Sequence, residues 1–221
     1  MSQNIVITGA NRGIGLSLCK QYRKSGAEVY AVCRKSSPEL DALEVNVIDG
    51  CDLPKREALV KIDRSLDGVE IDILVNNAGI LRNDVFGSFK AQSITDQFKV
   101  NALAPIMVTE RLKSRLRPRS KVVLITSRMG SIDDNTSGGR YGYRMSKAAL
   151  NIAGVSLAHD LRKSEVAVGI YHPGLVGTDM IGGHGNLTPD EAARALCARF
   201  AELNLVNSGG FWHSNGEPLP W

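Results

Sequence analysis

Cysteine is scarce in this chain and never closely spaced. The four, Cys19, Cys33, Cys51 and Cys197, form no C-x-x-C pair, which excludes a disulfide framework and a cysteine-built zinc site as the basis of the fold. His159, His184 and His213 have no Cys, Asp or Glu partner at a ligand spacing, so no metal is expected. No apolar run approaches the roughly 20 residues that a membrane helix needs. The opening Met-Ser-Gln-Asn-Ile-Val-Ile-Thr-Gly lacks a basic region followed by a long apolar core, so no secretory leader is expected. Reduced thiols and a cytoplasmic setting follow from these absences. Aromatic residues make up only 5% of the chain, and none interleaves with its one dense basic segment, Lys113, Arg115, Arg117, Arg119 and Lys121. That segment follows a helical stretch, where cations suit the negative end of the helix dipole. With a net charge of only +4, neither a nucleic-acid nor a membrane partner is expected.

What is present is enough apolar material, 43% of 221 residues, for the core of one medium domain. Short β-branched runs alternate with longer helical patterns from end to end, the sign of a parallel sheet covered by helices. The pattern predicts strands at 4–8, 28–33, 43–48, 71–76, 121–126, 166–171 and 210–213. It predicts helices at 14–25, 55–66 (with Pro54 in the first turn), 93–115, 143–163 and 189–203, the last behind a Thr188 cap. No linker, repeat or low-complexity tract interrupts the chain. The expected fold is therefore α/β, a Rossmann-type doubly wound parallel sheet flanked by helices, in a single domain spanning residues 1–221.

Directly after the first strand comes Thr8-Gly9-Ala10-Asn11-Arg12-Gly13-Ile14-Gly15, which opens the first helix. Glycines there let backbone amides approach a diphosphate, whose charge the helix N-terminus stabilises. The spacing is G-x-x-x-G-x-G rather than G-x-G-x-x-G. Where the second strand ends, an NAD-preferring protein of this architecture usually carries an acidic residue for the ribose hydroxyls. Here Cys33 stands in that place, Arg34 follows, and Arg12 lies in the loop. Two cations and no carboxylate suit a 2′-phosphate, so NADP(H) is expected in preference to NAD(H).

Tyr143 and Lys147 are four residues apart in Tyr-Arg-Met-Ser-Lys and so share a helix face. On its own the spacing describes many surface helix pairs. Downstream of a nucleotide loop it suits proton transfer. Bringing a phenol from a pKa of about 10 towards neutrality costs about 3–4 kcal/mol, which one cation about 4 Å away in a partly shielded site can supply. Tyr141 has no lysine four residues on. Ser127 ends an apolar run sixteen residues upstream of Tyr143.

These residues together resemble the short-chain dehydrogenase/reductase family. Thr8 to Gly15 is similar to its glycine motif, and Asn76-Asn77-Ala78-Gly79 to its N-N-A-G segment. Asn101 matches the helix asparagine, Ser127 the catalytic serine, and Tyr143 with Lys147 the Y-x-x-x-K pair. Pro173-Gly174-Leu175-Val176-Gly177-Thr178 is similar to P-G-x-V-x-T. The matches keep the family's order from residue 3 to about residue 180. The ending, Gly210-Phe211-Trp212 and Leu219-Pro220-Trp221, resembles a subgroup containing sniffer-type carbonyl reductases and the bacterial C-factor signalling protein.

The resemblance implies a nicotinamide-dependent oxidoreductase acting on a small-molecule carbonyl or alcohol. Tyr143 would be the proton donor and Ser127 would bind the carbonyl oxygen. Lys147 would lower the Tyr143 pKa and hold the nicotinamide ribose, and Asn101 would hold a water leading to Lys147. The cofactor site would include Gly9, Asn11, Arg12, Gly13, Ile14, Gly15, Arg34, Asp52, Leu53, Asn77, Ala78 and Gly79. Tyr143, Lys147, Pro173, Gly174, Val176 and Thr178 would complete it. Family members commonly dimerise through the Tyr143 helix and the one near Asn101. The apolar stretch with Ala148, Leu150, Ile152, Ala153, Val155 and Leu157 thus suggests a homodimer or homotetramer, although it could equally pack on its own sheet. Only about ten residues separate Thr178 from the next helix, a short, glycine-rich segment that is expected to be mobile and predicts an open pocket. Weak turnover would leave a second reading, a nucleotide-binding signalling or regulatory factor of the C-factor kind.

Overall fold

The computed structural model describes residues 2–221. Seven parallel strands form one sheet: β1 (Asn4–Thr8), β2 (Glu28–Val32), β3 (Asn46–Ile48), β4 (Ile71–Asn76), β5 (Leu116–Ile125), β6 (Ala167–His172) and β7 (Phe211–His213). Their order is β3-β2-β1-β4-β5-β6-β7. The helices are α1 (Gly13–Lys24), α2 (Pro38–Asp41), α3 (Arg56–Ser65), α4 (Ala91–Phe98), α5 (Ala104–Leu112), α6 (Tyr141–Leu161) and α7 (Pro189–Glu202). This is the doubly wound α/β fold that the alternation of strand and helix patterns predicts.

Strand periodicity separates the two layers. Ile5, Ile7, Val75, Val123 and Ile125 turn to one face and pack with Leu16, Leu18, Leu196 and Phe200 of α1 and α7. Val6 and Leu74 turn to the other and meet Leu59, Ile62, Val108 and Leu112 of α3 and α5. On that second face Val122, Leu124, Val168 and Ile170 receive Leu150 and Ala158 of α6. Gly154 sets how close α6 comes, because a Cβ there would stand 2.6 Å from Ile170 Cδ1. The strand order reverses between β1 and β4, which opens a crevice at their C-terminal ends, the usual ligand position in such sheets.

Several boundaries differ from expectation. Between residues 35 and 45 the chain forms the short α2, capped by Ser37, so β3 begins at Asn46 rather than residue 43. Pro54 lies outside α3, whose N-cap is Lys55. The single helix expected over 93–115 is interrupted by a π-helical turn, Lys99–Leu103, that contains Asn101. Strand β5 starts at Leu116, five residues early, because its basic start is neutralised by neighbouring carboxylates. Arg117 pairs with Glu70 at 2.7 Å and Asp72 at 2.5 Å, and Arg115 with Asp63 at 2.9 Å. Two of the five cations of the basic segment, Arg115 and Arg117, are thus held in ion pairs, and Lys121 donates to the carbonyls of Phe200 and Ala201 at 2.7 and 2.9 Å.

Candidate active site

The glycine loop folds over the end of β1 because two of its residues leave no room for side chains. A Cβ on Gly15 would lie 2.2 Å from Gly9 O, and one on Gly9, at φ +66°, would lie 2.8 Å from Ala78 Cα. Two polar side chains lock this turn to the end of β4. Thr8 Oγ1 accepts the N–H groups of Asn77 and Ala78 at 3.0 and 3.1 Å. Asn77 Nδ2 donates to the carbonyls of Thr8 and Gly9 at 2.9 and 3.2 Å. Asn77 therefore shapes the loop, and Thr8, the first residue of the glycine motif, helps build the site through its hydroxyl.

A cavity of about 330 Å³ runs from this loop to Tyr143. Gly9, Asn11, Arg12, Gly13, Ile14, Gly15, Arg34, Asp52, Leu53, Asn77, Ala78, Gly79, Lys147, Pro173 and Thr178 all line it with Tyr143, as does Ile80. Helix α1 opens onto the cavity with no side-chain cap and no acidic residue in its first turn, in contrast to α7, where Thr188 and Glu191 form a full capping box. An uncapped helix end keeps orphan N–H groups and a partial positive charge for an anion. These residues fit a dinucleotide.

Four expected site residues stand outside that lining: Asn101, Ser127, Gly174 and Val176. Gly174 takes φ +92°, and a Cβ there would meet Leu187 Cδ1 at 2.7 Å. Val176 bridges to Leu187. Both shape the wall from behind. The segment after Thr178 is also tied down more than its glycines suggest. Gly177 N–H donates to Leu187 O at 2.9 Å, Asn186 N–H to Leu175 O at 2.8 Å, and Gly183 N–H to Thr178 O at 2.9 Å.

Ser127, Tyr143 and Lys147 meet at the end of β5. Ser127 begins a 3-10 turn, Arg128–Gly130, and its Oγ accepts the Met129 N–H at 3.1 Å. The turn packs directly on α6, since a Cβ on Gly130 would lie 2.7 Å from the Lys147 carbonyl carbon. Lys147, 4% exposed, donates from Nζ to Ile125 O at 2.9 Å and stands 5.8 Å from the centre of the Tyr143 ring. Asn101 is fully buried. Its Oδ1 accepts the Ile80 N–H at 2.8 Å, and its Nδ2 donates to Ile80 O at 2.8 Å and Ser146 Oγ at 3.0 Å. Its side chain thus ties the loop after β4 to α6. A Cβ on Gly79 would meet Asn101 Oδ1 at 3.3 Å and Lys147 Nζ at 3.8 Å, so the three are neighbours.

The electrostatics correct one expectation. Tyr143 is not held below the ordinary phenol range. Burial pushes its pKa up, opposed by hydrogen bonding with Ser127 and by the charge of Arg140. Lys147 is itself pushed down, to about 8, by burial. Desolvation outweighs the attraction expected of the pair, because neither group reaches water and the ammonium is turned to the Ile125 carbonyl. The phenol at rest is protonated. His172, beside Pro173, is pushed down to about 3 by burial and by the neighbouring charges of His213, Arg128 and Lys147. It stays neutral, and its Nδ1 is buried without a hydrogen-bond partner.

Comparison with known proteins agrees with this geometry. The family model described as short chain dehydrogenase matches residues 3–186. The 1-hydroxy-2-glutathionyl-2-methyl-3-butene dehydrogenase of Rhodococcus sp. is 37% identical, over 98% of this chain and 99% of the relative. C-signal of Myxococcus xanthus is 39% identical over 68% of this chain and 93% of its own length. Among solved structures, the carbonyl reductase Sniffer of D. melanogaster superposes with TM-score 0.89 at 29% identity and full coverage of both chains. A carbonyl reductase from Pseudomonas aeruginosa in complex with NADP does so with TM-score 0.86 at 29% identity, over 99% of this chain and 100% of the other.

Proposed function

Since this chain belongs to the short-chain dehydrogenase family, we propose that it is an NADPH-dependent reductase of small-molecule carbonyl compounds, with Tyr143, Ser127, Lys147 and Asn101 as its working set. The observation that carries this reading is that a buried, protonated Tyr143 and Lys147 line one end of a cavity whose other end is the glycine loop, with Ser127 beside Tyr143 just outside that lining. Bound NADPH supplies the hydride. Ser127 Oγ holds the carbonyl oxygen, and the Tyr143 hydroxyl gives that oxygen its proton as negative charge develops there. A phenol that is protonated at rest is in the correct state to act as an acid, so the site favours reduction as the working direction.

Lys147 holds the ribose next to the nicotinamide and, from below the phenol, stabilises Tyr143 once its proton has left. Asn101 fixes Ile80 against Ser146 and so keeps the loop after β4 in register with α6. Arg34 and Arg12 take the 2′-phosphate. The four cysteines are unpaired, which suits a reducing, cytoplasmic compartment. Met145 and Ile152 on α6 and Phe98, Leu103 and Met107 near α4 and α5 are exposed. That face would be covered in a homodimer. The Rhodococcus relative is named for a glutathionyl alcohol, so large conjugated substrates belong among those tried.

The test is a steady-state survey of aldehydes, quinones and ketones with NADPH, comparing the native protein with Tyr143→Phe. Turnover that the substitution abolishes while NADPH binding persists is the expected result. Tight NADPH binding with no turnover of any compound would overturn the reductase reading and favour the alternative that the likeness to C-signal raises, a nucleotide-binding signalling factor.

A further inference from the structure

A second cavity, of about 670 Å³, is bordered by Phe86, Met129, Ser137, Arg140, Tyr141 and Arg144. It adjoins the catalytic groups through two links. Met129 donates its N–H to Ser127 Oγ, and Tyr141 and Arg144 flank Tyr143 in the first turn of α6. Arg140 is close enough to favour the ionised form of Tyr143.

Its charge is unbalanced. Of the chain's other arginines in this region, Arg128 is paired with Asp134 at 2.5 Å and Arg82 with Asp96 at 2.7 Å. Arg140 and Arg144 have no carboxylate within ion-pair distance among the described residues. Arg144 donates only to neutral oxygens, Ser137 Oγ at 2.9 Å and Gly138 O at 3.2 Å, and Arg140 contacts Met129 Sδ at 3.8 Å. The one carboxylate in the wall, Asp84, is 4% exposed and is occupied by the Gln97 amide and the Gly142 N–H.

The backbone holds Arg140 here at a cost. Gly138, Gly139 and Arg140 follow one another at φ +62°, +66° and +49°. Such a conformation disfavours a residue with a side chain. The Arg140 N–H, donating to Asp84 O at 3.1 Å, secures it. Beside the two cations lies exposed apolar surface. Phe86 is 80% exposed, and Phe86, Phe89 and Tyr141 form an edge-to-face row with ring centres 5.9 and 4.8 Å apart.

We propose that this cavity is the outer part of the substrate site and that Arg140 and Arg144 select carbonyl substrates whose apolar body ends in a carboxylate. The proposal rests on the reductase reading. The aldehyde or ketone end reaches Ser127 and Tyr143, the apolar body lies on Phe86 and Tyr141, and the carboxylate meets the two guanidiniums, whose fork geometry suits it.

The test uses a series of ω-oxo carboxylic acids of increasing length alongside their methyl esters, which keep the aldehyde and remove the charge. At one chain length the acid is expected to exceed its ester by about tenfold or more in kcat/KM, the scale of a charge-assisted contact, and added salt should reduce the margin. In the Arg140→Gln/Arg144→Gln protein the margin should fall below about threefold, and in Arg140→Lys/Arg144→Lys it should partly survive. Acids no better than esters at any length, or a margin that the glutamine pair leaves intact, would overturn the proposal. Should no aldehyde turn over, calorimetric binding of the same acids and esters to the NADP-loaded protein decides separately. Preferential binding of acid upholds the subsite while the reductase reading falls, and equal binding overturns the subsite as well.

Discussion

Asp84 caps the helix that carries Tyr143 and Lys147, although 58 residues of chain separate it from its partner Gly142. Its Oδ2 accepts the Gly142 N–H at 3.1 Å and the Gln97 amide at 2.7 Å. Arg140, the N-cap residue of α6, offers no side-chain acceptor, so Asp84 substitutes for the missing cap. Only glycine fits opposite, since a Cβ on Gly142 would lie 2.6 Å from that same oxygen.

Asp84→Ala should therefore lower stability by about 1–3 kcal/mol, because it leaves a buried amide and a helix N–H unsatisfied. In a domain of this size that corresponds to a fall in Tm of about 2–4 °C per kcal/mol. Asp84→Asn, which keeps an acceptor, should lose less. Thermal melts that place the alanine variant level with the native protein would show that the cap contributes nothing.

Arg34 provides the second prediction, concerning coenzyme choice. It is exposed at the cavity edge and has no carboxylate partner among the described residues. Arg12 is shared with Asp179 at 3.4 Å, with both side chains well exposed. Arg34 is thus the freer cation, and Arg34→Gln should reduce the NADPH over NADH preference in kcat/KM by about tenfold, the low end for a charge-assisted contact because solvent screens it. Arg12→Gln should reduce it less. A preference unmoved by Arg34→Gln would assign the 2′-phosphate to other groups.

Local pattern explains what the sequence made legible. The runs 4–8 and 71–76 coincide with β1 and β4 because a buried parallel strand is a continuous apolar segment closed by turn residues. The glycine loop and the Tyr143–Lys147 spacing were readable for the same reason, since each is a short-range geometric requirement. Longer-range relationships were not. Nothing in Asn83-Asp84-Val85 announces a cap for a helix at residue 141, and nothing in Gly139-Arg140 announces a left-handed arginine at a cavity mouth. The π-turn at Asn101 and the early start of β5 depend on contacts with Ile80, Glu70 and Asp72 that only the fold creates. The Tyr143 pKa was misjudged because spacing reports proximity to a cation, whereas burial, which outweighs it, is a property of the assembled site.

That burial has a measurable consequence at Lys147. Its folded pKa of about 8 lies below the roughly 10.4 of a free lysine. Between those two values the unfolded chain binds more protons than the folded one, so stability rises with pH through that window. Below pH 8 the cost of burying the ammonium is felt in full, and above about 10.4 it has gone. Lys147→Met removes the titrating group and should be more stable than the native protein at pH 7, by up to about 3 kcal/mol before the lost bond to Ile125 O is counted. This advantage should shrink steadily as pH rises from 8 to 10. Urea denaturation of both proteins at pH 7, 8.5 and 9.5 measures it. A difference in stability that stays constant across the three would mean that the buried amine does not titrate there and that its charge is compensated within the site.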